Sequence, residues 1–403
     1  MASSTRFPNL TVPVICTTDP AQIAAQIITE YEADFLAVQQ IAKNLAPGDP
    51  VRLILLRMAA RESQYRSLLN FTFQQNFIIS AIGNNLDAIG SNYGSGNTLG
   101  TNLSGERLAA SAAVTTLQFS LSVAINVDVP IPQGTIVASG PAQFATLAAA
   151  TITAGTASVS VAAQCTQTGI IGNGYTVGQI SQITNYGLPF VITASNTTAT
   201  QGGSAAESDD AYAQRLALLP GAFSCAGPAG AYKYWARTAS SAIIDVSILT
   251  PDTTPSVAAG NINVIPLLGP AGSGSANQIP GSTFLAQVAQ IFNNDIRPLG
   301  DVVTVIAPTA TTYNVTGTYY IDPANVVLQP TIDANVQAAV TTFINYTASR
   351  IGRDIDPSYL TFLVIQAGAS DLVLTAPTRT VLDSAHIGIQ SGTIAMTYGG
   401  PQL

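Results

Sequence analysis

The spacing of apolar residues predicts helices in the first hundred positions. Asp19-Pro20 is a capping residue followed by proline, and apolar residues then recur at steps of three and four. The same start signal, Asp49-Pro50, begins a second helix, and a third is predicted from Phe71 to Ile89, across Gly83. Because the connection is short, the first two helices should pack antiparallel. The first apolar stripe comprises Ile23, Ile27, Tyr31, Phe35, Val38, Ile41 and Leu45, and the second Val51, Ile54, Leu55, Met58 and Leu69.

The stripe on the first helix has two interpretations. It packs on the chain's own core, or part of it packs on another subunit. Under the second interpretation, the candidate interface residues are Ile23, Ile27, Tyr31 and Phe35.

Arginines on the second helix are further interface candidates. At about 100° per residue, Arg57 and Arg61 share one face, whereas Arg66 lies nearly opposite and can pair with Glu62 at i,i+4. Arg57 and Arg61 are therefore either a solvated face or groups that reach carboxylates on a partner helix. The guanidinium fork suits the second role.

Alternation of apolar and polar residues predicts strands after the helical region. Leu117 to Leu121 and Ser158 to Val161 alternate strictly, and only Asp128 is charged between Arg107 and Glu207. The 20 uncharged residues from Leu108 to Val127 contain polar residues throughout, so a strand is favoured over a membrane helix. An open sheet edge without charges would aggregate. We therefore expect an all-β domain that is closed or covered.

A tract of Ser, Thr and Gly follows from Ala194 to Ala206 and is typical of a linker. Gly202, Gly203 and Glu207 are therefore the candidate hinge or domain boundary. Ser208 or Asp209 should cap the helix after it, and Glu207 is expected to be structural, with a binding role as the alternative.

The rest of the chain alternates helices with strands, as in two small α+β domains. Turn residues at Gln390-Ser391-Gly392 predict a final hairpin. Predicted helices cover 208–219, 228–239, 282–296, 331–349 and 357–365, and predicted strands cover 243–249, 262–268, 302–306, 313–321 and 371–374. The fold class is thus multidomain α+β: an N-terminal helical bundle segment at 1–110, a central all-β domain at 111–205, and α+β domains at 206–308 and 309–403.

Composition narrows the functional classes. Only 9% of residues are charged, against about 25% in an ordinary domain. Charged residues are depleted in interface cores, so the chain is either a subunit of a larger assembly or adapted to its medium. The net charge of −8 argues against a nucleic-acid surface. Cys16, Cys165 and Cys225 form no disulfide framework, and no signal peptide is visible, so we expect a soluble protein made in a reducing cytoplasm.

Candidate catalytic chemistry is sparse. His386 is the sole histidine and is expected to be structural, and three scattered cysteines do not suit zinc. Asp354-x-Asp356 lacks the remaining calcium-loop ligands and is expected to lie in a turn before a helix. There is no P-loop, and the glycines at 172–178 miss the dinucleotide spacing. We therefore predict no catalytic, cofactor-binding or metal-binding residue, and no enzyme.

Several segments, in their order along the chain, resemble the baseplate J-like proteins of contractile phage tails and related injection systems. The resemblance covers roughly residues 45 to 395, and the low charge of this chain departs from the family. Its segments are Val51-Arg52, Ala59-Ala60-Arg61, Asn85 to Gly90, Pro132 to Thr135, Phe144 to Thr146, Gly169, Gly172-Asn173, Gly202-Gly203, Glu207-Ser208-Asp209, Arg215, Tyr232 and Arg297 to Asp301.

The resemblance implies a structural wedge protein that links wedges into a ring around the hub and transmits the trigger to sheath contraction. Implied partners are a second wedge protein, a sheath-linked adaptor, neighbouring copies (two in each of six wedges) and, indirectly, the hub. It implies a virion location in the tail baseplate after assembly in the host cytoplasm. From the charge and the polar pattern given above, we expect no nucleic-acid partner and no membrane insertion.

Two other functions remain open. The uncharged β domain suits a tail adhesin that binds a host surface glycan or receptor, which exposed aromatic clusters would favour. Its aromatic residues between 129 and 206 are Phe144, Tyr175, Tyr186 and Phe190. The third function is a tail-associated hydrolase, since a carboxylate pair is defined by spatial separation rather than by sequence spacing.

Overall fold

A computed structural model describes residues 6–7, 9–92, 105–184, 192–222, 224, 226–269, 279–292 and 296–402. The chain packs as two compact units. The first comprises residues 1–107 with 212–217, and the second comprises 108–211 with 218–403. Cys225, Tyr186 and Phe190, all considered above, lie outside the described residues.

The first unit contains helices α1 (Pro20–Gln39), α2 (Pro50–Gln74) and α3 (Gly83–Ser91). The carboxylates of Asp19 and Asp49 accept hydrogen bonds from the backbone N–H groups of Ala21 and Val51, which confirms both predicted caps. Between Cys16 and Thr18 the chain runs antiparallel to α2, because Cys16 contacts Asn70 while the carbonyl of Thr18 accepts from Ser63.

The predicted first helix is too long at its end. Gln40 adopts a left-handed conformation, with φ of 56°, and donates its N–H to the carbonyl of Leu36. The carboxylate of Glu32 then accepts from the N–H of Leu45 at 2.7 Å, which turns the chain back. Ile41 is consequently exposed, whereas Leu45 is buried from the loop rather than from the helix.

The predicted third helix, Phe71 to Ile89, is wrong in its middle. α2 continues to Gln74, and the helical pattern resumes only at Gly83. The side chain of Gln75 accepts from the N–H of Ile82 at 3.0 Å, and Gly83 has φ of +52°, a conformation that interrupts a right-handed helix. The helical spacing of apolar residues continues between Gln74 and Gly83, but the backbone there is not helical.

The second unit begins with the predicted all-β region. An antiparallel six-stranded sheet nearly closes into a barrel, because its two end strands, Gln182–Ile183 and Ile192–Asn196, approach each other. Its core includes Leu117, Phe119, Phe144 and Val161. The strands are β1 (Ala112–Leu121), β2 (Val129–Ile131), β3 (Ile136–Ser139), β4 (Ala142–Thr146), β5 (Ala150–Ile152), β6 (Ser158–Thr168), β7 (Gln182–Ile183) and β8 (Ile192–Asn196). The six-stranded sheet has the order β7-β3-β4-β6-β1-β8, and β2 and β5 form a separate pair.

A small α+β module follows, which we call the central module (residues 229–305). β9 (Ile243–Leu249) and β10 (Asn261–Leu268) pair antiparallel, and β11 (Val302–Val305) joins β10 in parallel. The helices are α4 (Asp209–Ala222), which precedes the module, α5 (Ala229–Thr238) and α6 (Ser282–Ala289). The predicted helix to residue 296 is thus shorter, and residues 293–295 lie outside the described part.

The last module is a three-stranded sheet with two helices packed on it. Its sheet has the order β13-β12-β14, from β12 (Thr309–Ile321), β13 (Asp371–Ala376) and β14 (His386–Pro401). The helices α7 (Gln329–Thr347) and α8 (Pro357–Gln366) cover a core that includes Val315, Val336 and Phe343.

The predicted hairpin at Gln390-Ser391-Gly392 is wrong. β14 runs in one direction through these residues and pairs parallel with β12 on both sides of them. The register shifts between Tyr313 and Val315, and the side chain of Asn314 accepts from the N–H of Thr393 at 3.0 Å. The small residues that predicted a turn therefore form a β-bulge in β14.

Alkaline pH tests the core of the last module. Burial raises the pKa of Tyr313 to about 12. Because an unfolded tyrosine ionises near pH 10, the neutral side chain contributes about 3 kcal/mol below that pH, and this is lost as the pH rises from 10 to 12. The free energy of unfolding, measured by chemical denaturation, should therefore fall more between pH 9 and pH 11.5 in the native chain than in Tyr313→Phe. Tyr65→Phe, at an exposed position, is the control, and equal losses in all three proteins would contradict the prediction.

Candidate functional site

The second helix carries apolar residues on two opposite faces. Its inner face contains Leu55 and Ala59, and Ala59 packs with Ile23, Ala24 and Ile27 of α1. The apolar side chains of the opposite face are between 54% and 69% exposed. We call this face the outer α2 stripe: Leu53, Ile54, Arg57, Met58, Arg61, Tyr65, Leu68 and Leu69. A helix that is apolar on both faces is normally covered on both.

Arg57 and Arg61 lie exposed within this stripe. They line one groove together with Leu53, Ile54 and Met58. Within the described parts of the chain, neither guanidinium has an ion pair. Arg66 on the other side of α2 does, at 2.9 Å from Glu62, as predicted.

The candidate interface residues of α1 have a different position. Ile23 is fully buried in the unit's own core, so the structure does not support it as an interface residue. Ile27, Tyr31 and Phe35 are half-buried, and the ammonium of Lys43 lies 5.2 Å from the Phe35 ring centre. Ile23 therefore contributes to the unit's own packing, and an interface role for Ile27, Tyr31 and Phe35 stays a prediction. On the outer α2 stripe, the sequence predicts Arg57 and Arg61 as interface candidates but misses the apolar residues Leu53, Tyr65 and Leu68 beside them.

The tract 194–206 is not an unstructured linker. β8 continues to Asn196 and pairs with β1, and the backbones of Gln201 and Ser204 bridge to Val114 and Ser111. The side-chain amide of Asn173 accepts from the N–H of Gly203 at 2.9 Å and donates to its carbonyl at 2.7 Å. The Ser, Thr and Gly residues predicted a linker because they are common in linkers. The same small residues also form tight turns, as they do here. A hinge at Gly202-Gly203 stays a prediction.

Glu207 has a structural position. It is buried, and its carboxylate accepts from the backbone N–H of Leu108 at 3.0 Å. The hydroxyl of Ser208 accepts from the N–H of Ala211, so Ser208 caps α4 as predicted. Both contacts hold the chain where α4 begins.

Other residues of the sequence resemblance also hold turns. The hydroxyl of Tyr232 on α5 donates to the carboxylate of Asp301, and burial together with this bond raises the pKa of the tyrosine. In the first unit, Arg107 pairs with Asp87 of α3 at 2.8 Å. Within their own units, these residues fix backbone segments.

Gly90 of α3 provides a test of this packing. A Cβ built there would lie 1.8 Å from the hydroxyl oxygen of Tyr212 and 2.4 Å from the carbonyl oxygen of Gly105. Gly90→Ala should therefore destabilise the first unit by about 1–3 kcal/mol, measured by chemical denaturation. Gly230→Ala on α5 is the matched control, because its Cβ meets nothing within 4 Å. Equal stability of the two variants would contradict the packing described.

Candidate catalytic groups do not gather in the described residues. His386 lies at the start of β14, with Nδ1 2.5 Å from the carboxylate of Asp383, and this bond lowers the pKa of Asp383. Asp356 caps α8 and Asp354 accepts from the N–H of Leu382, so both acids hold a turn, as predicted. Among the described residues no cluster of His, Cys, Asp and Glu is arranged to hold a metal ion. No described helix combines the length and apolarity needed to cross a bilayer.

Comparisons with known proteins agree with the sequence resemblance. Residues 116–203 match the barrel domain of baseplate J-like proteins, and residues 224–307 match their central domain. Over 179 residues the chain is 30% identical to baseplate protein J of Escherichia phage P2. That alignment spans 44% of this chain and 54% of the relative.

Among solved structures, a chain of the anti-feeding prophage baseplate, determined by electron cryo-microscopy with six-fold symmetry, overlaps 95% of this chain and 100% of its own length. The identity is 12% and the TM-score is 0.37, so this overlap carries no argument about fold or function.

Proposed function

We propose that the chain is a structural component of a phage-type tail baseplate, located in the virion, because residues 116–203 and 224–307 match two domains of baseplate J-like proteins and 179 residues resemble a baseplate protein J. More specifically, it acts as a wedge protein that links wedges into a ring around the hub and passes the trigger to sheath contraction. The outer α2 stripe carries this proposal, because it is an extended apolar surface with two unpaired arginines within the described residues.

The partner at this stripe is proposed to be helical and acidic. Burying Arg57 and Arg61 without counter-charges would be costly, so the partner must offer carboxylates at matching positions. Two copies of α2 packed through their stripes would bring arginines close to arginines, which opposes such self-pairing. The second wedge protein and the sheath-linked adaptor are the proposed partners.

Linking requires at least two docking surfaces. The 3₁₀ turn Pro323–Leu328 in the last module supplies another, since Val326, Val327 and Leu328 are all exposed, Val327 to 91%. A neighbouring copy is the proposed partner there, with about two copies in each of six wedges and an indirect link to the hub, as expected for the family. Assembly in the host cytoplasm is part of the same proposal.

The adhesin alternative has less support from the β domain. Phe144 is buried, and the half-buried Tyr175 packs edge-on against it with ring centres 6.5 Å apart. The aromatic residues described in this domain therefore form part of its interior and no exposed platform for a sugar.

Co-expression with the tail proteins encoded beside it tests the proposed function. We expect the chain to elute with at least one of them in a complex of defined mass, measured by size-exclusion chromatography with light scattering. A chain that stays alone with every such protein, or that degrades cell-wall material by itself, would refute the proposal.

A further inference from the structure

The segment from Gln201 to Ala205 lies between the barrel sheet and the central module, and it contacts both. On the barrel side it is held by β1 and by Asn173, as described above. On the other side, the carbonyls of Gly202 and Ala205 accept from the hydroxyls of Ser240 and Ser241, which follow α5, and Gln201 contacts the start of α6. A connection that is packed on two sides differs from a free linker.

Gln201 makes the most specific of these contacts. Its side chain is buried, with Nε2 donating to the carbonyl of Ile279 at 3.0 Å and Oε1 accepting from the N–H of Gly281 at 2.6 Å. Its backbone is bonded in both directions to Val114 of β1. One residue therefore joins the barrel backbone to the backbone that leads into α6.

Hydroxyl groups add a second set of contacts. Ser111 of the barrel lies 2.9 Å from the Ser204 hydroxyl and 3.1 Å from that of Ser240, and Ser204 is also bonded to Ser241. Thr116 of β1 meets Thr283 of α6 at 2.9 Å. All these groups are uncharged, so neither salt nor physiological pH should weaken them.

Close packing completes the junction. Gly202 has φ of +86°, and a Cβ there would lie 2.6 Å from the ring of Phe284. Phe284 is itself buried, so α6 packs directly on the Gly202 backbone. Packed contacts of this kind resist continuous deformation.

We infer that the barrel sheet and the central module form one rigid body, clamped by Gln201 and the Ser111–Ser204–Ser240–Ser241 cluster. This is opposite to the hinge predicted from composition, and it does not depend on the proposed function. Any reorientation of the protein during its work then occurs outside this junction. The chemistry of the clamp is amide and hydroxyl hydrogen bonding around a glycine.

Distances between spin labels decide between clamp and hinge. In the full chain with Cys16, Cys165 and Cys225 replaced by Ala, labels are placed at Gln143, an exposed position of β4, and at the exposed Asp252 after β9. Double electron–electron resonance should give one narrow distance distribution, unchanged between 50 mM and 1 M salt. A broad or two-peaked distribution would overturn the clamp and support the hinge.

Variants test the role of Gln201 itself. Gln201→Ala should broaden the distribution at least two-fold in width, whereas Gln182→Ala, at an exposed position of β7, should leave it unchanged. A narrow distribution in Gln201→Ala would overturn the role given to this side chain. Should this variant fail to fold, the distribution of the labelled native sequence still decides whether the two parts are rigid.

Discussion

Arg57→Ala combined with Arg61→Ala should weaken assembly with the proposed helical partner by roughly 30-fold or more in dissociation constant. Both guanidinium groups would be removed from a contact in which they meet carboxylates. Truncating one partner of a buried charge pair costs about 2–5 kcal/mol, and each 1.4 kcal/mol is a factor of ten. Since both side chains are exposed in the isolated chain, its free energy of unfolding should change by less than about 0.5 kcal/mol.

A matched control uses arginines of the second unit. Arg350 and Arg379 are also exposed, so Arg350→Ala with Arg379→Ala removes the same charge without touching the outer α2 stripe. Affinity is measured by titration calorimetry with the co-purified partner, and folding by denaturation. If the Arg57 and Arg61 variant unfolds, or binds as tightly as the control, the interface role of these arginines is wrong.

Gly202→Ala should destabilise the second unit by about 2–5 kcal/mol. Two costs combine: a non-glycine residue at positive φ costs about 1–2 kcal/mol, and overpacking against Phe284 costs about 1–3 kcal/mol. The measurement is chemical denaturation followed by the fluorescence of Trp235, the sole tryptophan, which is buried in α5 of the same unit.

Gly155→Ala separates these two costs. Gly155 has φ of +84°, nearly that of Gly202, but a Cβ there meets nothing within 4 Å. It should therefore show only the backbone cost. If Gly202→Ala and Gly155→Ala are equally stable, Phe284 does not pack on Gly202 as described, and the segment is looser than the structure indicates.

Local patterns in the sequence predicted most elements of the second unit. The strand Ile243–Leu249 has the predicted bounds, and β12 and α8 differ from prediction by a few residues, because their apolar periodicity and capping residues are local. The predicted hairpin at Gln390 to Gly392 and the predicted linker at 194–206 failed for one reason. Small polar residues are compatible with hairpins, linkers, bulges and packed turns, and only distant partners such as Asn314 and Asn173 select among these.

The candidate site was predictable only in part. The shared face of Arg57 and Arg61 follows from helical geometry, and the structure places both side chains on an exposed surface. That Ile23 packs inward could not be read from its spacing, because an interface stripe and a core stripe have the same period. Gln201 gave no signal at all, since its partners Ile279 and Gly281 are about 80 residues away along the chain.

The central claim is that this chain works by being held between other proteins, with the outer α2 stripe covered. Electron cryo-microscopy of the intact particle that contains it tests this most directly. We expect the chain in the baseplate, with Met58, Tyr65 and Leu69 buried under another chain and carboxylates facing Arg57 and Arg61. A baseplate without the chain, or one in which the outer α2 stripe faces solvent, would contradict the account.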